Sequence, residues 1–182
     1  MQYSANVQLK NGIDCCIQHC KVEDAQAILA LFTGACGQSD FMNFYPDEVK
    51  LTLTQEQTFI EQKKANNREV LLCAKIDADI VAMASITAVG NNDKLRHRAE
   101  FGITVLQEFW AQGIGNALMQ ALVEVSKNAG YAQLECSVVA ENTRAIALYQ
   151  KYGFQKIGCN PKGFHLRDGN YKALLSMALQ LE

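Results

Sequence analysis

The sequence lacks the features that mark several large classes of protein. None of its seven cysteines forms the C-x-x-C pair that zinc sites and redox dithiols use, and seven is an odd number. We therefore expect reduced, mostly buried thiols in a cytosolic protein, without a metal site. A cysteine nucleophile with a histidine partner is the weaker alternative, for which only His19, His97 and His165 are available.

Neither charge nor hydrophobicity is concentrated enough to indicate a nucleic-acid or membrane protein. Seventeen basic and nineteen acidic residues give a net charge of −2. The N-terminal stretch MQYSANVQLKNG lacks the apolar region of a signal peptide, and the longest apolar stretch, 80–89, is interrupted by Ser85 and Thr87. A membrane-spanning helix needs about 20 apolar residues. We expect a cytoplasmic protein that binds neither nucleic acid nor membrane.

The chain is long enough, and apolar enough, to bury the core of one domain. It has 182 residues, of which 49% are hydrophobic. Runs with alternating or continuous apolar residues are interspersed with runs of helical spacing, which predicts an α/β fold in a single domain over residues 1–182. The strand patterns cover 13–20, 70–76, 80–89, 98–105, 133–139, 154–159 and 172–181, and the helical patterns cover 25–32, 54–64, 113–129 and 142–152.

A glycine-rich turn between a strand and a helix is the first candidate site. Residues 110–116 read W-A-Q-G-I-G-N. Gly113 and Gly115 let the backbone curl tightly, and the free N–H groups of a helix start suit a pyrophosphate. A lone G-x-G is also common in ordinary turns, which is the alternative. The lysine-containing phosphate loop is absent, and Leu118 stands where a dinucleotide fingerprint has its third glycine, so ATP and NAD are disfavoured.

Three other side chains are candidates for chemistry. Asn142 and Tyr149 are seven residues apart and nearly aligned on one helix face, so both could reach one ligand. Their structural alternatives are an N-cap for Asn142 and a half-buried aromatic for Tyr149. Glu100 is an acid in an otherwise apolar strand, for which exposure to solvent is the commoner explanation.

These motifs together resemble the acetyl-coenzyme A core of the GNAT N-acetyltransferase superfamily. The segment W-A-Q-G-I-G is similar to its pyrophosphate loop, [Q/R]-x-x-G-x-[G/A], with Trp110 in place of the usual Gln or Arg. Residues 138–154 are similar to its signature V-x-x-x-N-x-x-A-x-x-L-Y-x-x-x-G-F. The resemblance covers about the last ninety residues well, whereas the N-terminal half agrees only in its order of strands and helices.

The resemblance implies a fold and a division of the chain. It implies a central, mixed and mostly antiparallel sheet of about seven strands, splayed near the glycine turn and flanked by about four helices. The acetyl-coenzyme A core would lie at about 96–160, and the N-terminal half would bind the substrate. Residues 41–49 and 164–171 are the candidate walls of the acceptor site.

The resemblance also implies an acetyl-coenzyme A dependent N-acetyltransferase, in which a primary amine attacks the thioester directly in a ternary complex. Tyr149 would protonate the departing thiolate. Glu100 is the candidate base, with His97 in reserve, and a backbone N–H near Thr104 or Val105 would meet the oxyanion. The implied cofactor-binding residues are Ile103, Thr104 and Val105 beside the pantetheine arm, Gln112, Gly113, Ile114, Gly115 and Asn116 around the pyrophosphate, and Asn142 and Tyr149.

The sequence contains no motif that identifies the acceptor amine. A small-molecule amine or an amino acid is favoured, and the N-terminus or a lysine of a protein or peptide is the alternative. A non-catalytic acyl-coenzyme A binding module and a glycine-turn nucleotide-binding domain are rival interpretations from other classes. A homodimer is left open.

Overall fold

The computed structural model describes residues 3–181, which form eight β-strands and four α-helices. The strands are β1 (Ser4–Gln8), β2 (Asp14–His19), β3 (Val70–Ile76), β4 (Asp79–Ala88), β5 (Arg98–Val105), β6 (Gln133–Val139), β7 (Gln155–His165) and β8 (Tyr171–Gln180). The helices are α1 (Ala25–Gln38), α2 (Leu53–Ala65), α3 (Ile114–Asn128) and α4 (Thr143–Lys151).

All the strands belong to one sheet in the order β1-β2-β3-β4-β5-β6-β8-β7. Neighbouring strands are antiparallel except β5 and β6, which are parallel. The mixed, mostly antiparallel sheet in a single α/β domain is therefore confirmed. No helix in the part of the chain between residues 3 and 181 has the length and apolar character needed to cross a bilayer.

Several element boundaries differ from those predicted. Strand β1 was missed, and β7 extends to His165, through a segment predicted as a connection. Helix α1 continues past two glycines to Gln38. Helix α2 starts earlier because Thr52 is its N-cap, with Gln55 completing a capping box.

Helices cover the two faces of the sheet and make two apolar cores. On one face α3 buries Ile114, Leu118 and Leu122 against the sheet, and Tyr149 from α4 joins the same core. On the other face Ile28 from α1 and Ile60 from α2 form the second core. Strand β3 supplies alternate residues to each core, as its two-residue period requires: Leu72 and Ala74 to the first, and Leu71 and Cys73 to the second.

Strands β5 and β6 separate after a short paired segment. Within the described residues their pairing comprises Arg98 with Gln133, Ala99 with Leu134 and Glu100 with Glu135. Beyond Glu100, β5 remains paired with β4, and β6 remains paired with β8. The predicted splay is therefore present, and it leaves a gap inside the sheet.

An ion pair holds the point at which these strands part. Both Nε and Nη2 of Arg98 donate to the Glu135 carboxylate, the latter at 2.7 Å, and Gln133 Nε2 adds a third hydrogen bond at 2.9 Å. These hydrogen bonds, led by that of Arg98, hold the pKa of Glu135 below its usual value. Stabilisation from a lowered pKa is present above the pKa of the unfolded state and is lost as the pH falls through the folded-state value.

We expect the substitution Glu135→Gln to lower the free energy of unfolding by about 1–3 kcal/mol at pH 7, because a charge-assisted hydrogen bond contributes about that much. The difference from the wild type should shrink as the pH falls through the lowered pKa of Glu135, because the native carboxylate then also becomes protonated. Thermal or urea unfolding measured from pH 7 downward through the acid range tests this. Asp93→Asn is the control, because Asp93 is 97% exposed and its pair with Arg96 is long, at 3.5 Å. A difference that does not depend on pH would contradict the assignment.

Candidate active site

The gap between β5 and β6 opens into a cleft of about 1370 Å³ that passes through the sheet. Its walls come from α1, α3 and α4, from β4 to β6, and from the turn between β1 and β2. His97 lies elsewhere, in a separate surface depression. The cleft brings together all the site residues predicted from the sequence: Glu100, Ile103, Thr104, Val105, Gln112, Gly113, Ile114, Gly115, Asn116, Asn142 and Tyr149.

The exposed edge of β5 has a defined set of free backbone groups. Two hydrogen bonds from backbone N–H groups, Val89 to Arg98 O and Leu106 to Val81 O, bracket the β4–β5 ladder. Because antiparallel ladders alternate, the N–H and C=O of Ile103 and Val105 face the gap, whereas those of Thr104 face β4. The Val105 carbonyl already accepts a hydrogen bond of 2.7 Å from Trp110 Nε1. A ligand in the gap therefore meets both backbone groups of Ile103 and the N–H of Val105.

The glycine turn presents a row of backbone N–H groups at the start of α3. Two residues have left-handed backbone conformations, Ala111 with φ 65° and Gly113 with φ 106°. The first α-helical hydrogen bond runs from Ala117 N–H to Gly113 O, so the N–H groups of Ile114, Gly115 and Asn116 have no partner within the helix. Free N–H groups and the positive end of a helix dipole favour an anion here.

The turn between β1 and β2 is hydrogen-bonded to this glycine turn. Lys10 N–H donates to Gln112 O at 3.1 Å, and Asn11 Nδ2 donates to Gln112 Oε1 at 2.9 Å. Gln112 Nε2 in turn donates to Glu108 O. Both polar atoms of the Gln112 side chain are thus hydrogen-bonded within the protein. A ligand would therefore contact Gln112 through its backbone.

Cationic side chains from α4 and from the turn between β1 and β2 surround the loop. The guanidinium of Arg144 lies 4.6 Å from the centre of the Trp110 ring, and Lys151 Nζ donates to Asn116 Oδ1. Lys10 also lines the cleft, beside Gly113. These cations were not predicted from the sequence, because Lys10 and the two α4 residues reach the loop from distant parts of the chain and no local motif joins them. Stacking with Arg144 and the bond to Val105 also explain why tryptophan fits position 110.

Tyr149 is a buried phenol with an uncommitted hydroxyl. Its ring packs edge-on against Phe101, with centroids 5.1 Å apart, and lies tilted by 50° against Phe154, with centroids 5.9 Å apart. Burial, with the nearby Cys136 as a lesser cause, raises its pKa well above the usual value. The hydroxyl donates to no group among the described residues, and the residue lines the cleft. At neutral pH it is therefore a protonated group that a ligand can reach.

Asn142 and Glu100 occupy different places in the cleft. Asn142 Oδ1 accepts a hydrogen bond of 3.2 Å from Ala145 N–H, so its structural interpretation as an N-cap is confirmed. Glu100 is exposed and its side chain lies on the opposite face of β5 from Phe101. Since Phe101 packs against Tyr149, the acid and the phenol line the cleft from opposite faces of the sheet.

Other chemistries find little support in the described part of the chain. No hydrogen bond joins a cysteine to a histidine in residues 3–181, and no cluster of three metal-ligating side chains occurs there. Cys136 does line the cleft, but burial and the nearby Glu100 carboxylate raise the pKa of its thiol to about 12. Such a thiol is a poor nucleophile at neutral pH.

Comparison with known proteins identifies the family. The sequence profile of the GNAT acetyltransferase family matches residues 37–154, which include the strand, the glycine turn and the N-to-Y helix that line the cleft. The chain belongs to this family.

Two relatives from Escherichia coli share 35% identity with parts of the chain. One is the L-amino acid N-acetyltransferase AaaT, over 108 residues that are 59% of this chain and 65% of the relative. The other is the ribosomal protein bS18-alanine N-acetyltransferase, over 81 residues, 44% and 54% respectively. The chain thus matches less than two thirds of the length of either. An L-methionine sulfoximine/L-methionine sulfone acetyltransferase of Pseudomonas aeruginosa is 22% identical over 91% of this chain and 94% of its own.

Solved structures share the fold at low sequence identity. A GNAT acetyltransferase from Streptococcus pneumoniae has a TM-score of 0.88 at 23% identity, over 91% of this chain and 99% of that one. The yncA protein from Salmonella typhimurium, solved with its cofactor acetyl-CoA, has a TM-score of 0.81 at 19% identity, over 91% of this chain and 93% of that one.

Proposed function

We propose that the protein is an acetyl-coenzyme A dependent N-acetyltransferase that acetylates a primary amine of a small molecule or an amino acid. One observation carries the proposal: a single cleft joins the free N–H groups of the glycine turn to the uncommitted, protonated hydroxyl of Tyr149. The membership of the GNAT family supports acetyl-coenzyme A as the donor. A non-catalytic binding module would need only the free N–H groups of the glycine turn, and not the Tyr149 hydroxyl.

We assign the cofactor to the α3 and α4 side of the cleft, within about residues 96–160. The N–H groups from Gln112 to Asn116 would hold the pyrophosphate, with Arg144 and Lys151 adding positive charge. The pantetheine arm would fill the gap as an added strand on Ile103 and Val105, and Asn142 Nδ2 would donate to it. The acceptor would enter from the other face, where the N-terminal half of the chain supplies most of the walls.

The reaction follows from this placement. The amine attacks the thioester carbon, so a C–N bond forms while the C–S bond breaks. The Val105 N–H would stabilise the oxyanion. The Thr104 N–H would not, because it faces β4 and not the gap. Tyr149 would give its proton to the departing thiolate sulfur. The proton released from the amine would pass to Glu100 directly or through water.

Incubation with acetyl-coenzyme A and a panel of small amines, amino acids and peptides tests the proposal, with product detected by mass. Mass detection avoids the background of free thiols, of which Cys159 is exposed. Acetylated small amines support the proposal, and acetylation of peptides alone would support the protein-directed alternative. Binding of coenzyme A without any product would favour a non-catalytic module. A thermal shift with NAD or ATP, but none with coenzyme A, would favour a nucleotide-binding domain.

We expect Glu100→Gln to lower kcat/KM by roughly 10- to 100-fold at pH 7, because general base catalysis contributes about 10²-fold or more. An amine with a pKa near ~10 loses its proton to solvent at higher pH, so the deficit should decrease toward pH 10. Glu141→Gln is the matched control, since Glu141 is another acid that lines the cleft. If the pH profile of Glu100→Gln parallels that of the wild type, Glu100 is not the base.

A further inference from the structure

The acceptor side of the cleft is rich in aromatic rings and methionine side chains. We define the acceptor pocket as the cleft residues on the α1 face of the sheet, away from α3 and α4. Its apolar members are Phe32, Phe41, Met42, Phe44, Met83 and Phe164. The rings of Phe32 and Phe44 pack edge-on, with centroids 6.1 Å apart.

An irregularity in β7 contributes Phe164 to this pocket. The register of β7 with β8 shifts between Asn160 and Phe164. Gly163 lies so close to Leu174 that a Cβ on it would be 2.4 Å from the Leu174 Cγ. Phe164 pairs with Lys172 and therefore lies on the same face as Leu174, and both Phe164 and Leu174 line the cleft.

The positive charges of the cleft lie at its other end. Among the described lining residues the cations are Lys10, Arg144 and Lys151, and each contacts the glycine turn or Trp110. The acceptor pocket instead contains the Glu100 carboxylate. Its electrostatics favour a protonated amine and disfavour a second carboxylate.

Two cations near the acceptor pocket are already paired with acids. Arg167 forms two hydrogen bonds to the Asp47 carboxylate, at 2.9 and 2.8 Å. Lys172 Nζ lies 4.0 Å from Glu141 Oε1. Neither cation lines the cleft in the described structure. An α-carboxylate in the pocket would thus lose its water without gaining a counter-charge.

We infer that the acceptor is an amine with an apolar body, of aromatic or thioether size, and without a carboxylate next to the amine. The inference rests on the proposed acetyl transfer and narrows its acceptor from amines and amino acids to apolar amines. The pocket binds the body through its rings and methionines, and Glu100 attracts the ammonium group. A free amino acid would place its carboxylate beside Glu100.

A matched series of acceptors tests the inference. We would measure kcat/KM by mass for 2-phenylethylamine, L-phenylalaninamide, L-phenylalanine and the polyamine spermidine. The first two should exceed L-phenylalanine and spermidine by at least about tenfold, because a carboxylate beside Glu100 meets a like charge and the extra ammonium groups of spermidine face an apolar wall. Equal or faster acetylation of L-phenylalanine or of spermidine would overturn the inference but leave acetyl transfer intact. If no amine is acetylated, the proposed transfer fails as well.

Substitutions in the pocket give a second test. Phe164→Ala should lower kcat/KM for 2-phenylethylamine by about tenfold or more while leaving that for ethylamine within about twofold. Ile157→Ala, at an exposed apolar position of the same strand, is the matched control. The acetyl-coenzyme A affinity of each variant shows whether it is folded, and Phe41→Ala replaces Phe164→Ala if that variant is not. An equal loss for both amines would contradict the apolar pocket.

Discussion

Replacing Gly113 by valine is expected to weaken acetyl-coenzyme A binding by at least about a hundredfold. Gly113 has φ 106°, a conformation that a residue with a Cβ adopts only at a cost of about 1–2 kcal/mol, and a β-branched residue at more. Relief of this strain would turn the adjacent N–H groups away from the pyrophosphate. Two lost hydrogen bonds to a charged group, at about 1.5–3 kcal/mol each, correspond to more than a hundredfold in affinity.

The matched control for this substitution is Gly130→Val, at the other end of the same helix. Gly130 has φ 75°, and a Cβ on it would have no atom within 4 Å. At Gly113 the nearest atom would be Lys10 Cγ, at 3.8 Å, so neither substitution causes a clash. Both variants should lose similar stability, but only Gly113→Val should lose affinity, as measured by calorimetry. An equal loss in both would show that strain on α3, and not the N–H groups, determines binding.

Tyr149→Phe is expected to lower kcat by roughly 10²-fold while changing the dissociation constant of acetyl-coenzyme A by less than about threefold. Burial raises the pKa of this phenol, so it is protonated throughout the neutral range and can act as an acid. Phenylalanine keeps the ring contacts with Phe101 and Phe154 and removes only the donor. Single-turnover rates and binding measured on the same protein separate the two effects.

Tyr152→Phe is expected to give the opposite result to Tyr149→Phe, affecting the binding of acetyl-coenzyme A more than kcat. Tyr152 is the C-cap of α4, and its hydroxyl donates to Asn116 O at 2.8 Å, which ties α4 to the first turn of α3. Its loss should weaken cofactor binding with little change in kcat at saturation. If Tyr149→Phe instead weakens binding as much as it slows turnover, then Tyr149 is a binding residue and another group protonates the thiolate.

The order of strands and helices was predictable because their apolar periods are clear, but strand β1 and the second half of β7 were not. Strand β1 has five residues, alternately exposed, in the largely polar sequence SANVQ, so it carries little hydrophobic signal. In β7, Asn160, Pro161 and two glycines are typical of a turn. An outermost strand tolerates them, because one of its edges has no partner to hydrogen bond.

The candidate site was predictable to the extent that it follows from short motifs. The glycine turn and the helix with Asn142 and Tyr149 are each contiguous, and the structure places them on one cleft. The contacts of Lys10 and Asn11 with Gln112 join residues about a hundred positions apart and have no local pattern. The Trp110 bond to Val105 spans only five residues, but it and the stacking with Arg144 also have no sequence motif, since both depend on how the chain folds back.

The separation of β5 and β6 divides the sheet into two blocks, β1–β5 and β6–β8. Within the described sheet the blocks share only three residue pairs, reinforced by the Arg98–Glu135 ion pair. A ligand that hydrogen-bonds to the backbone of Ile103 and Val105 would fill the gap and so connect the two blocks of the sheet. By mass action, a ligand at 100 times its dissociation constant adds about 2.7 kcal/mol to the free energy of unfolding. The resistance of this protein to heat and proteolysis should therefore depend on the concentration of its acyl donor.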